Sequence, residues 1–235
     1  MTQPFGDAVV LVAGGTGALG GAVVEAFLRE GAQVVSTYRS SAKLEALRSS
    51  LGAVSERLGG CPVDLSDETD ARDQIARVVE RYGHLDILVN AVGGYAGGAT
   101  AWETESAVLE RLLSLNLRAL HTLLRAVVPV LLKRNTGCII NIAAKAGTTH
   151  PALAGAYAAS KAAALSMMAS LTAELAGTAV RANSILPSTS DTVANRRTMP
   201  KADFSKWIPP EQIAAVIRFL CSPQGAAVRG AEIVL

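Results

Sequence analysis

The sequence predicts an α/β fold in which one doubly wound parallel sheet carries helices on both faces. Short apolar, β-branched runs alternate along the chain with longer helical patterns, as in consecutive βαβ units. The 235 residues, of which 50% are hydrophobic and 21 are glycine, suit one compact domain with a substantial core. No internal repeat, low-complexity tract or linker divides the chain, so residues 1–235 are expected to form that single domain.

The alternating runs predict seven strands and six helices. The strands are expected near residues 8–13, 34–38, 60–64, 85–91, 137–143, 179–186 and 230–235. The helices are expected near residues 18–30, 41–51, 67–82, 103–133, 152–176 and 210–221. One long irregular segment near 187–209 is rich in Ser, Thr, Pro and charge. It is predicted to be an active-site loop or lid, because long loops in compact domains are usually functional.

A glycine motif follows the first predicted strand. It reads G-x-G-x-x-G and lies between an apolar run and an amphipathic helix, which is the context of a Rossmann-type dinucleotide site. Glycine allows a pyrophosphate to approach closely, and the helix N-terminus favours its charge. The alternative is a glycine turn with a purely structural role. The candidate phosphate-binding residues are Gly14, Gly15, Thr16, Gly17, Ala18, Leu19 and Gly20.

The residues after the second predicted strand indicate which dinucleotide would bind. An acidic side chain there would select NAD by bonding the ribose 2′-hydroxyl, but Tyr38, Arg39 and Ser40 include no carboxylate. Arg39 offers a planar cation that suits a 2′-phosphate. NADPH is therefore the expected cofactor and NADH is less favoured. The alternative is a solvated arginine at the start of a helix.

A tyrosine and a lysine four residues apart indicate a general acid. Tyr157 and Lys161 share one face of a predicted helix. A buried ammonium beside a phenol would lower the phenol pKa from about 10 toward the working pH, as hydride chemistry requires of its proton donor. By chance alone such a pair occurs in many helices, where the phenol is exposed and the lysine is solvated.

Two further features complete a known pattern. One is the segment Asn90-Ala91-Val92-Gly93, and the other is Asn116 on the predicted helix that follows it. With the motifs above, they resemble the short-chain dehydrogenase/reductase family over nearly the whole chain. The resemblance implies that Tyr157 is the acid, that Lys161 tunes it and holds the cofactor ribose, and that Asn116 orders a water. Asn116 has an alternative role as a satisfied polar contact. The resemblance also implies cofactor contacts from Asp64, Leu65, Asn90, Ala91, Val92, Gly93, Pro187 and Thr192.

Asp64 and Ala144 each admit a role other than the one that the resemblance implies. Asp64 precedes Ser66 and a predicted helix, so it is equally suited to capping that helix. Ala144 stands where the family has a serine that polarises the substrate carbonyl. Loss of one such donor costs roughly 10²–10³ in rate. The side chains that are candidates to replace it are Lys145, Thr148 and Thr149.

Dihydropteridine reductases, a subgroup of the family, carry the same alanine and lysine as Ala144 and Lys145. The glycine-framed Tyr95 and the segment from Leu186 to Trp207 also resemble that subgroup. An electron-poor quinonoid pterin accepts hydride without building an alkoxide, so a missing oxyanion donor matters less. Tyr95 and Trp207 would then flank a flat ring by stacking. The alternative is that both aromatic side chains serve ordinary loop packing.

These observations predict an NADPH-dependent oxidoreductase that passes hydride to a small oxidised substrate. A quinonoid dihydropteridine or a similar heterocycle is the favoured substrate class. A carbonyl reductase of the 3-oxoacyl or small-ketone kind is the alternative. A third class, a dinucleotide-sensing protein without catalysis, is disfavoured because Tyr157, Lys161 and Asn116 are all present.

Composition and charge also point to a small-molecule partner. The net charge of +2 comes from mixed charges, which provide no basic stripe for nucleic acid and no polybasic membrane patch. The first residues lack the pattern of a signal peptide, so a cytoplasmic location is expected. No metal site is expected, because Cys61, Cys138 and Cys221 are far apart and lack ligand spacing.

The apolar run from Leu112 to Leu132 raises the question of a membrane span. Arg118 and Arg125 interrupt it and Pro129 lies near its end, so a buried or subunit-facing helix is expected instead. In the family this helix and the helix of Tyr157 form contacts between subunits. The resemblance therefore implies a homodimer or a homotetramer.

Overall fold

A single parallel sheet of seven strands organises residues 4–235, which are the residues that the computed structural model describes. The strand order is β3-β2-β1-β4-β5-β6-β7, and neighbouring strands pair in parallel. The predicted doubly wound α/β fold is thereby confirmed. The strands are β1 Val9–Ala13, β2 Gln33–Tyr38, β3 Leu58–Pro62, β4 Ile87–Asn90, β5 Gly137–Ile142, β6 Val180–Leu186 and β7 Glu232–Val234.

Helices connect the strands and cover both faces of the sheet. They are α1 Ala18–Arg29, α2 Ser41–Leu51, α3 Glu68–Tyr82, α4 Ser106–Leu113, α5 Ala119–Arg134, α6 Ala146–Thr149, α7 Gly155–Glu174, α8 Val193–Thr198 and α9 Pro210–Cys221. Short 3₁₀ turns occupy Gly52–Arg57, Phe204–Lys206 and Pro223–Gly225. Strands β1 and β4 are buried throughout and almost wholly apolar, because a parallel sheet covered on both faces exposes neither to water.

Two hydrophobic cores lie on the two faces of this sheet. On one face, Leu11 and Leu88 pack with buried residues of α3, α5 and α7. On the other face, Val10 and Val89 pack with buried residues of α1, α2 and α9. Successive residues of a strand point to opposite faces, so each strand supplies both cores.

The strand order reverses between β1 and β4. β2 and β3 lie on one side of β1, whereas β4 to β7 lie on the other side. In open parallel sheets of this kind, ligands bind outside the carboxyl ends of the strands at such a reversal. The glycine turn after β1 and the segment after β4 meet at this edge, as a hydrogen bond from Ala91 N to Ala13 O of 2.9 Å shows.

The predicted helix 103–133 begins later than expected and is not one regular helix. It starts at Ser106 and contains a π-helical turn over Ser114–Arg118 between α4 and α5. A π turn adds a residue to the turn and re-aims the side chains that follow. An apolar pattern does not reveal such a turn, because the same residues would also fit an uninterrupted α-helix.

Ser106–Arg134 is long and apolar enough to cross a membrane by length and composition, and it is the one such run among residues 4–235. Half of its most apolar stretch is buried inside the fold. Its apolar character therefore has a structural cause in the core formed with α3 and α7.

The segment 187–209 is more ordered than the predicted irregular loop. It contains α8 and the 3₁₀ turn Phe204–Lys206. Its two ends are joined by hydrogen bonds from Asp191 N to Ile208 O and from Ile208 N to Thr189 O, of 2.8 and 2.9 Å. We call this segment the lid. Two of the polar residues that suggested a loop cap its short helices, Thr192 for α8 and Asp203 for the 3₁₀ turn.

Two adjacent glycines of α1 give a test of how tightly this helix packs on the glycine turn. A Cβ on Gly20 would overlap the Gly14 carbonyl oxygen and lie 2.9 Å from the Gly15 Cα, whereas a Cβ on Gly21 would have 3.5 Å to Leu47. Overpacking of this kind costs about 1–3 kcal/mol or more. Gly20→Ala should therefore lower the urea midpoint of unfolding.

The matched control is Gly21→Ala, which should raise the free energy of unfolding by about 0.5–1 kcal/mol, and with it the midpoint, because alanine has the better helix propensity. Equal effects of the two substitutions would show that α1 does not depend on this close approach.

Candidate active site

The glycine turn between β1 and α1 has the properties of a phosphate cradle. Gly14 adopts a φ of +77° and donates its N–H to Thr37 Oγ1 at 2.9 Å, which fixes the turn against β2. Gly17 is the N-cap of α1 and makes no side-chain cap, so the first amides of a twelve-residue helix are left without a side-chain acceptor. Such amides and the helix dipole favour a phosphate. These residues fit a dinucleotide.

A cleft of about 560 Å³ opens at the carboxyl ends of β1 to β4. It extends from the glycine turn to the side chains that follow β2 and β3. The predicted cofactor residues that line it are Gly14, Thr16, Gly17, Tyr38, Arg39, Asp64, Leu65, Ala91, Val92 and Gly93. Most of the predicted contacts therefore surround one cavity, large enough for part of a dinucleotide.

Other predicted cofactor residues lie outside the lining of this cleft. Asn90 is buried in β4 and donates to Asn141 Oδ1 at 2.9 Å, so its role is to hold the sheet edge. Thr192 caps α8 by accepting from Asn195 N. The buried Pro187 accepts a backbone hydrogen bond from Lys145 N at 3.0 Å. The remaining predicted residues have positions in the backbone elements beside the cleft. Ser40 is the N-cap of α2, and the others lie in or just before α1, namely Gly15, Ala18, Leu19 and Gly20.

Two cationic side chains lie where the cleft reaches the end of β2. Arg39 and Lys43 both line the cleft and are exposed. Asp64 faces them from the end of β3, and its carboxylate accepts from the amide and the hydroxyl of Ser66, which lowers its pKa; Arg39 contributes a smaller lowering. The α3 cap is Asp67, whose side chain accepts from Thr69 N and Asp70 N. The alternative role of Asp64 as that cap is therefore wrong.

Lys161 and Asn116 meet at the segment that follows β4. A Cβ on Gly93 would lie 2.9 Å from Asn116 Oδ1 and 3.1 Å from Lys161 Nζ, so both polar groups are packed against this glycine. Gly93 also lines the cleft. Lys161 is only 6% exposed, and its Nζ donates to the Ile142 carbonyl oxygen at 3.1 Å. The tertiary structure thereby joins the predicted catalytic helix to the predicted cofactor cleft.

The pKa of Tyr157 differs from the sequence-based expectation. Burial, and to a lesser extent the neighbouring Tyr95, raises the pKa of Tyr157 to about 12. The expected lowering by the lysine is wrong for this arrangement, because the Lys161 ammonium donates to a backbone carbonyl and burial dominates the phenol's environment. Burial also lowers the pKa of Lys161 to about 8. Tyr157 is therefore held in its protonated form, as a proton donor requires.

Asn116 makes its hydrogen bonds to the protein. Its Oδ1 accepts from Gly94 N at 2.9 Å, and its Nδ2 donates to Gly94 O at 3.0 Å and to Ser160 Oγ at 2.9 Å. Ser160 in turn donates to the Tyr157 carbonyl oxygen at 2.8 Å. The alternative role of Asn116 as a satisfied polar contact is therefore observed, while the water-ordering role stays a prediction.

The position of the missing serine is buried and apolar. Ala144 is 6% exposed at the end of β5, and the exposed Lys145 follows it. The hydroxyls of Thr148 and Thr149 both donate to the Lys145 carbonyl oxygen, at 2.9 and 3.1 Å. The two threonines are thus engaged in the turn of α6, and neither offers a free hydroxyl in place of a serine.

Tyr95 and Trp207 have separate aromatic partners. The Tyr95 ring packs edge-on against Tyr157, with 4.9 Å between the ring centroids and an interplanar angle of 77°. Trp207 packs on Phe204 at 4.7 Å, and Arg196 lies over the Phe204 ring. Tyr95 therefore lies beside the candidate acid, whereas the contacts of Trp207 belong to the lid. Stacking of both on one substrate ring stays a prediction.

Sequence reasoning missed several residues that support the site. Thr37 accepts from the glycine turn, Lys43 adds a second cation to the cleft, and Ser160 connects Asn116 to the Tyr157 backbone. Lys43 could have been found because it lies in the first turn of the predicted helix that follows Arg39. Ser160 lies inside the Tyr157 to Lys161 motif, but the spacing does not indicate its partner. Among residues 4–235 no cluster of His, Cys, Asp and Glu suits a metal.

Comparison with known proteins identifies the family. The model of the short chain dehydrogenases matches residues 8–203. D-threitol dehydrogenase of Mycolicibacterium smegmatis is 30% identical over 97% of this chain and 90% of its own. A 3-oxoacyl-[acyl-carrier-protein] reductase of Thermotoga maritima is 27% identical over 94% and 93%. The chain therefore belongs to the short-chain dehydrogenase/reductase family and is an oxidoreductase of that class, for which an NAD(P) cofactor is typical.

Solved structures agree with the fold. A short chain dehydrogenase from Bacillus anthracis is 25% identical, with a TM-score of 0.87 and coverage of 97% of this chain and 95% of that chain. ElxO with NADP bound is 20% identical, with a TM-score of 0.91 and coverage of 97% and 96%.

The buried lysine predicts how stability depends on pH. The pKa of Lys161 in the folded chain, about 8, lies below its ordinary value of 10.5. Between these values the unfolded chain keeps a proton that the folded chain has released, so stability rises with pH. This effect should add about 2–3 kcal/mol to the free energy of unfolding between pH 7 and pH 10, and Lys161→Met should abolish that contribution. Urea unfolding at each pH measures it.

The control for this measurement is Lys133→Met, which removes an exposed lysine at the end of α5 and should leave the pH dependence as in the parent. The window stops at pH 10, because the raised pKa of Tyr157 makes stability fall as pH rises from about 10 to 12. The raised pKa values of Cys61 and Cys221 make the parent's stability fall over part of this window, so the decisive quantity is the difference between the parent and Lys161→Met. A difference that stays constant between pH 7 and pH 10 would contradict the burial of a titrating ammonium.

Proposed function

We propose that this enzyme is an NADPH-dependent reductase whose substrate is a small electron-poor heterocycle of the quinonoid dihydropteridine type. The observation that carries the proposal is the buried Ala144, with no free hydroxyl from Thr148 or Thr149 to replace the serine. A ketone that accepts hydride becomes an alkoxide and needs an oxyanion donor. A quinonoid ring spreads the added electrons over its nitrogen atoms, so it depends less on that donor.

NADPH is supported as the cofactor by charge. Arg39 and Lys43 place two cations on the cleft at the end of β2, where an acidic residue would favour NAD. A guanidinium binds a phosphate through charge-assisted hydrogen bonds that a ribose hydroxyl cannot match. The fold neighbour with NADP bound lends support to the same choice.

Each catalytic group of the chain has a distinct role in this proposal. The bound cofactor supplies a hydride. Tyr157 holds a proton at its phenolic oxygen and delivers it to the reduced substrate. Lys161 has the role of bonding a ribose hydroxyl and of supplying positive charge when the phenolate forms. Asn116 holds the segment after β4 in place through its two bonds to Gly94.

A carbonyl reductase is the second candidate, and sequence similarity favours it. The Thermotoga maritima relative is a 3-oxoacyl-[acyl-carrier-protein] reductase, and the other relatives include D-threitol and L-fucose dehydrogenases. In that case the ammonium of the exposed Lys145, next to Ala144, would have to stabilise the oxyanion. The two candidates differ in what a restored hydroxyl would do.

The proposal extends to the oligomeric state and the location of the enzyme. A homodimer or homotetramer in the cytoplasm is proposed, with α4, α5 and α7 at the contact between subunits. Support comes from the apolar Leu109 and Leu132, which are 38% and 40% exposed on the helix run Ser106–Arg134. Size-exclusion chromatography with light scattering measures the assembly.

Arg39 should decide between the two dinucleotides. The parent is expected to bind NADPH more tightly than NADH, and Arg39→Ala should reduce the difference by about 1.5–3 kcal/mol, the range for hydrogen bonds to charged groups. Isothermal titration of both cofactors measures this. Arg125→Ala, which removes an exposed arginine paired with Glu68, is the control and should keep the parent preference. A parent that binds both cofactors equally would refute the role of Arg39.

Ala144→Ser should separate the two substrate classes. If the substrate is quinonoid, the added hydroxyl should leave quinonoid dihydropterin reduction unchanged or impaired and should raise turnover of simple ketones, because a ketone develops the oxyanion that serine stabilises. NADPH consumption with both substrates is the measurement. Thr148→Ala is the control, because its hydroxyl is already bonded to Lys145 O.

Strong ketone turnover by the parent, with no reduction of quinonoid dihydropterin, would overturn the pteridine proposal. The carbonyl reductase would then be the remaining function.

A further inference from the structure

Two buried asparagines join the carboxyl ends of β4 and β5. Asn90 and Asn141 lie opposite one another in the paired strands, and they are 1% and 2% exposed. Asn90 Nδ2 donates to Asn141 Oδ1 at 2.9 Å. Because strand residues alternate between faces, both side chains lie on the face of Leu88 and Ile139, which α3, α5 and α7 cover. The pair is therefore buried on the face of the sheet that carries the catalytic helix.

The side chain of Asn141 keeps a buried donor without a partner. Its Nδ2 has no hydrogen-bond partner among residues 4–235. An unsatisfied buried donor is destabilising, whereas two apolar side chains of similar shape in place of a hydrogen-bonded pair are often neutral or stabilising. Stability alone therefore does not explain an asparagine at this position. The hydrogen bond from Asn90 is what this side chain contributes.

That hydrogen bond fixes a side chain whose oxygen holds the segment after β4. Asn90 Oδ1 accepts from Val92 N at 3.1 Å. The peptide group between Ala91 and Val92 packs in turn on Gly14, since a Cβ there would lie 3.1 Å from Ala91 C, Ala91 O and Val92 N. Gly14, Ala91 and Val92 all line the cofactor cleft. Asn141 is thus connected to the wall of the cleft through Asn90, without lining the cleft itself.

We propose that Asn141 is a positioning residue for the dinucleotide. It orients Asn90, which holds the peptide group between Ala91 and Val92 against the glycine turn and so sets the shape of the cleft between β1 and β4. This peptide belongs to the segment after β4, whereas Arg39 follows β2. The effect of Asn141 therefore applies equally to NADPH and NADH. The inference rests on the proposed binding of a dinucleotide in this cleft.

The first measurement needs no cofactor. Asn141→Leu keeps a similar shape and removes the acceptor, so the Asn90 side chain is no longer held. The hydrogen bond to Val92 N should then open more often, and the Val92 amide should exchange with D₂O about three- to tenfold faster than in the parent, the range that one hydrogen bond typically contributes. Hydrogen exchange followed by NMR measures this amide.

The second measurement is cofactor affinity. In Asn141→Leu the Kd values of NADPH and NADH should both rise about three- to tenfold, while their ratio stays that of the parent. Isothermal titration measures both. Arg39→Ala is expected to change the ratio, so the two variants separate a contact with the 2′-phosphate from the positioning of the cleft.

The matched control is Asn183, a second buried asparagine with a purely structural set of partners. It lies on β6, on the face covered by α9, where it donates to Val228 O and accepts from Ala231 N, at 3.1 and 2.9 Å. Asn183→Leu should lower stability and leave both cofactor affinities and the Val92 exchange as in the parent. If Asn141 were merely structural, Asn141→Leu would behave in the same way.

A double variant separates stability from positioning. Asn90→Leu combined with Asn141→Leu removes both polar groups, so it should regain the stability that Asn141→Leu loses, yet its affinity for both cofactors should stay weak. If Asn141→Leu does not fold, this variant provides the affinity measurement. Parent affinity for both cofactors in either variant would overturn the inference. Equal binding of NADPH and NADH by the parent would refute the proposed cofactor preference, while an equal loss of both in Asn141→Leu would still support the role of Asn141.

Discussion

The buried ammonium of Lys161 is the constraint around which the site is arranged. Burial of a charge is costly unless polar atoms compensate it, and here the carbonyl of Ile142 accepts a hydrogen bond from the ammonium at the end of the sheet. Lys161 and Asn116 both pack against Gly93. This requires that β5, the π turn after α4 and the segment after β4 converge on α7. Gly93 has no side chain because two polar groups occupy that space. The catalytic helix is thereby positioned against the cofactor cleft.

Asn116 extends this arrangement to the loop over the acid. Its position in a π turn aims the side chain back at Gly94, and the same amide reaches Ser160 on α7. One side chain therefore fixes three backbone segments relative to each other. π turns are frequent at functional sites. The hydrogen bonds of Asn116 connect the segment after β4 to the helix that carries Tyr157.

The departure at Ala144 bears on the proposed substrate class because Tyr157, Lys161 and Asn116 are all present around it. The threonines that follow are committed to the carbonyl of Lys145, so the turn of α6 is stable without lending a hydroxyl to the site. Relatives of the family match most of this chain while their names specify different substrates. Binding residues in such folds are often on loops at the strand ends, and the loop that contains Tyr95 and the lid are two loops that follow strands in this chain.

The sequence by itself determined the sheet, the glycine turn and the Tyr157 to Lys161 pair, because these follow from local periodicity and from residues with a single conformational use. It also indicated Arg39 and the cleft, since parallel strands end at one edge. It did not determine the π turn at Asn116, the order within the lid or the raised pKa of Tyr157. Those depend on which distant groups become neighbours: Gly94 with Asn116, Asp191 with Ile208, and Tyr95 with Tyr157. Burial and hydrogen-bond partners of that kind exist only in the tertiary structure, and they move the pKa values of Tyr157 and Lys161 away from their ordinary values.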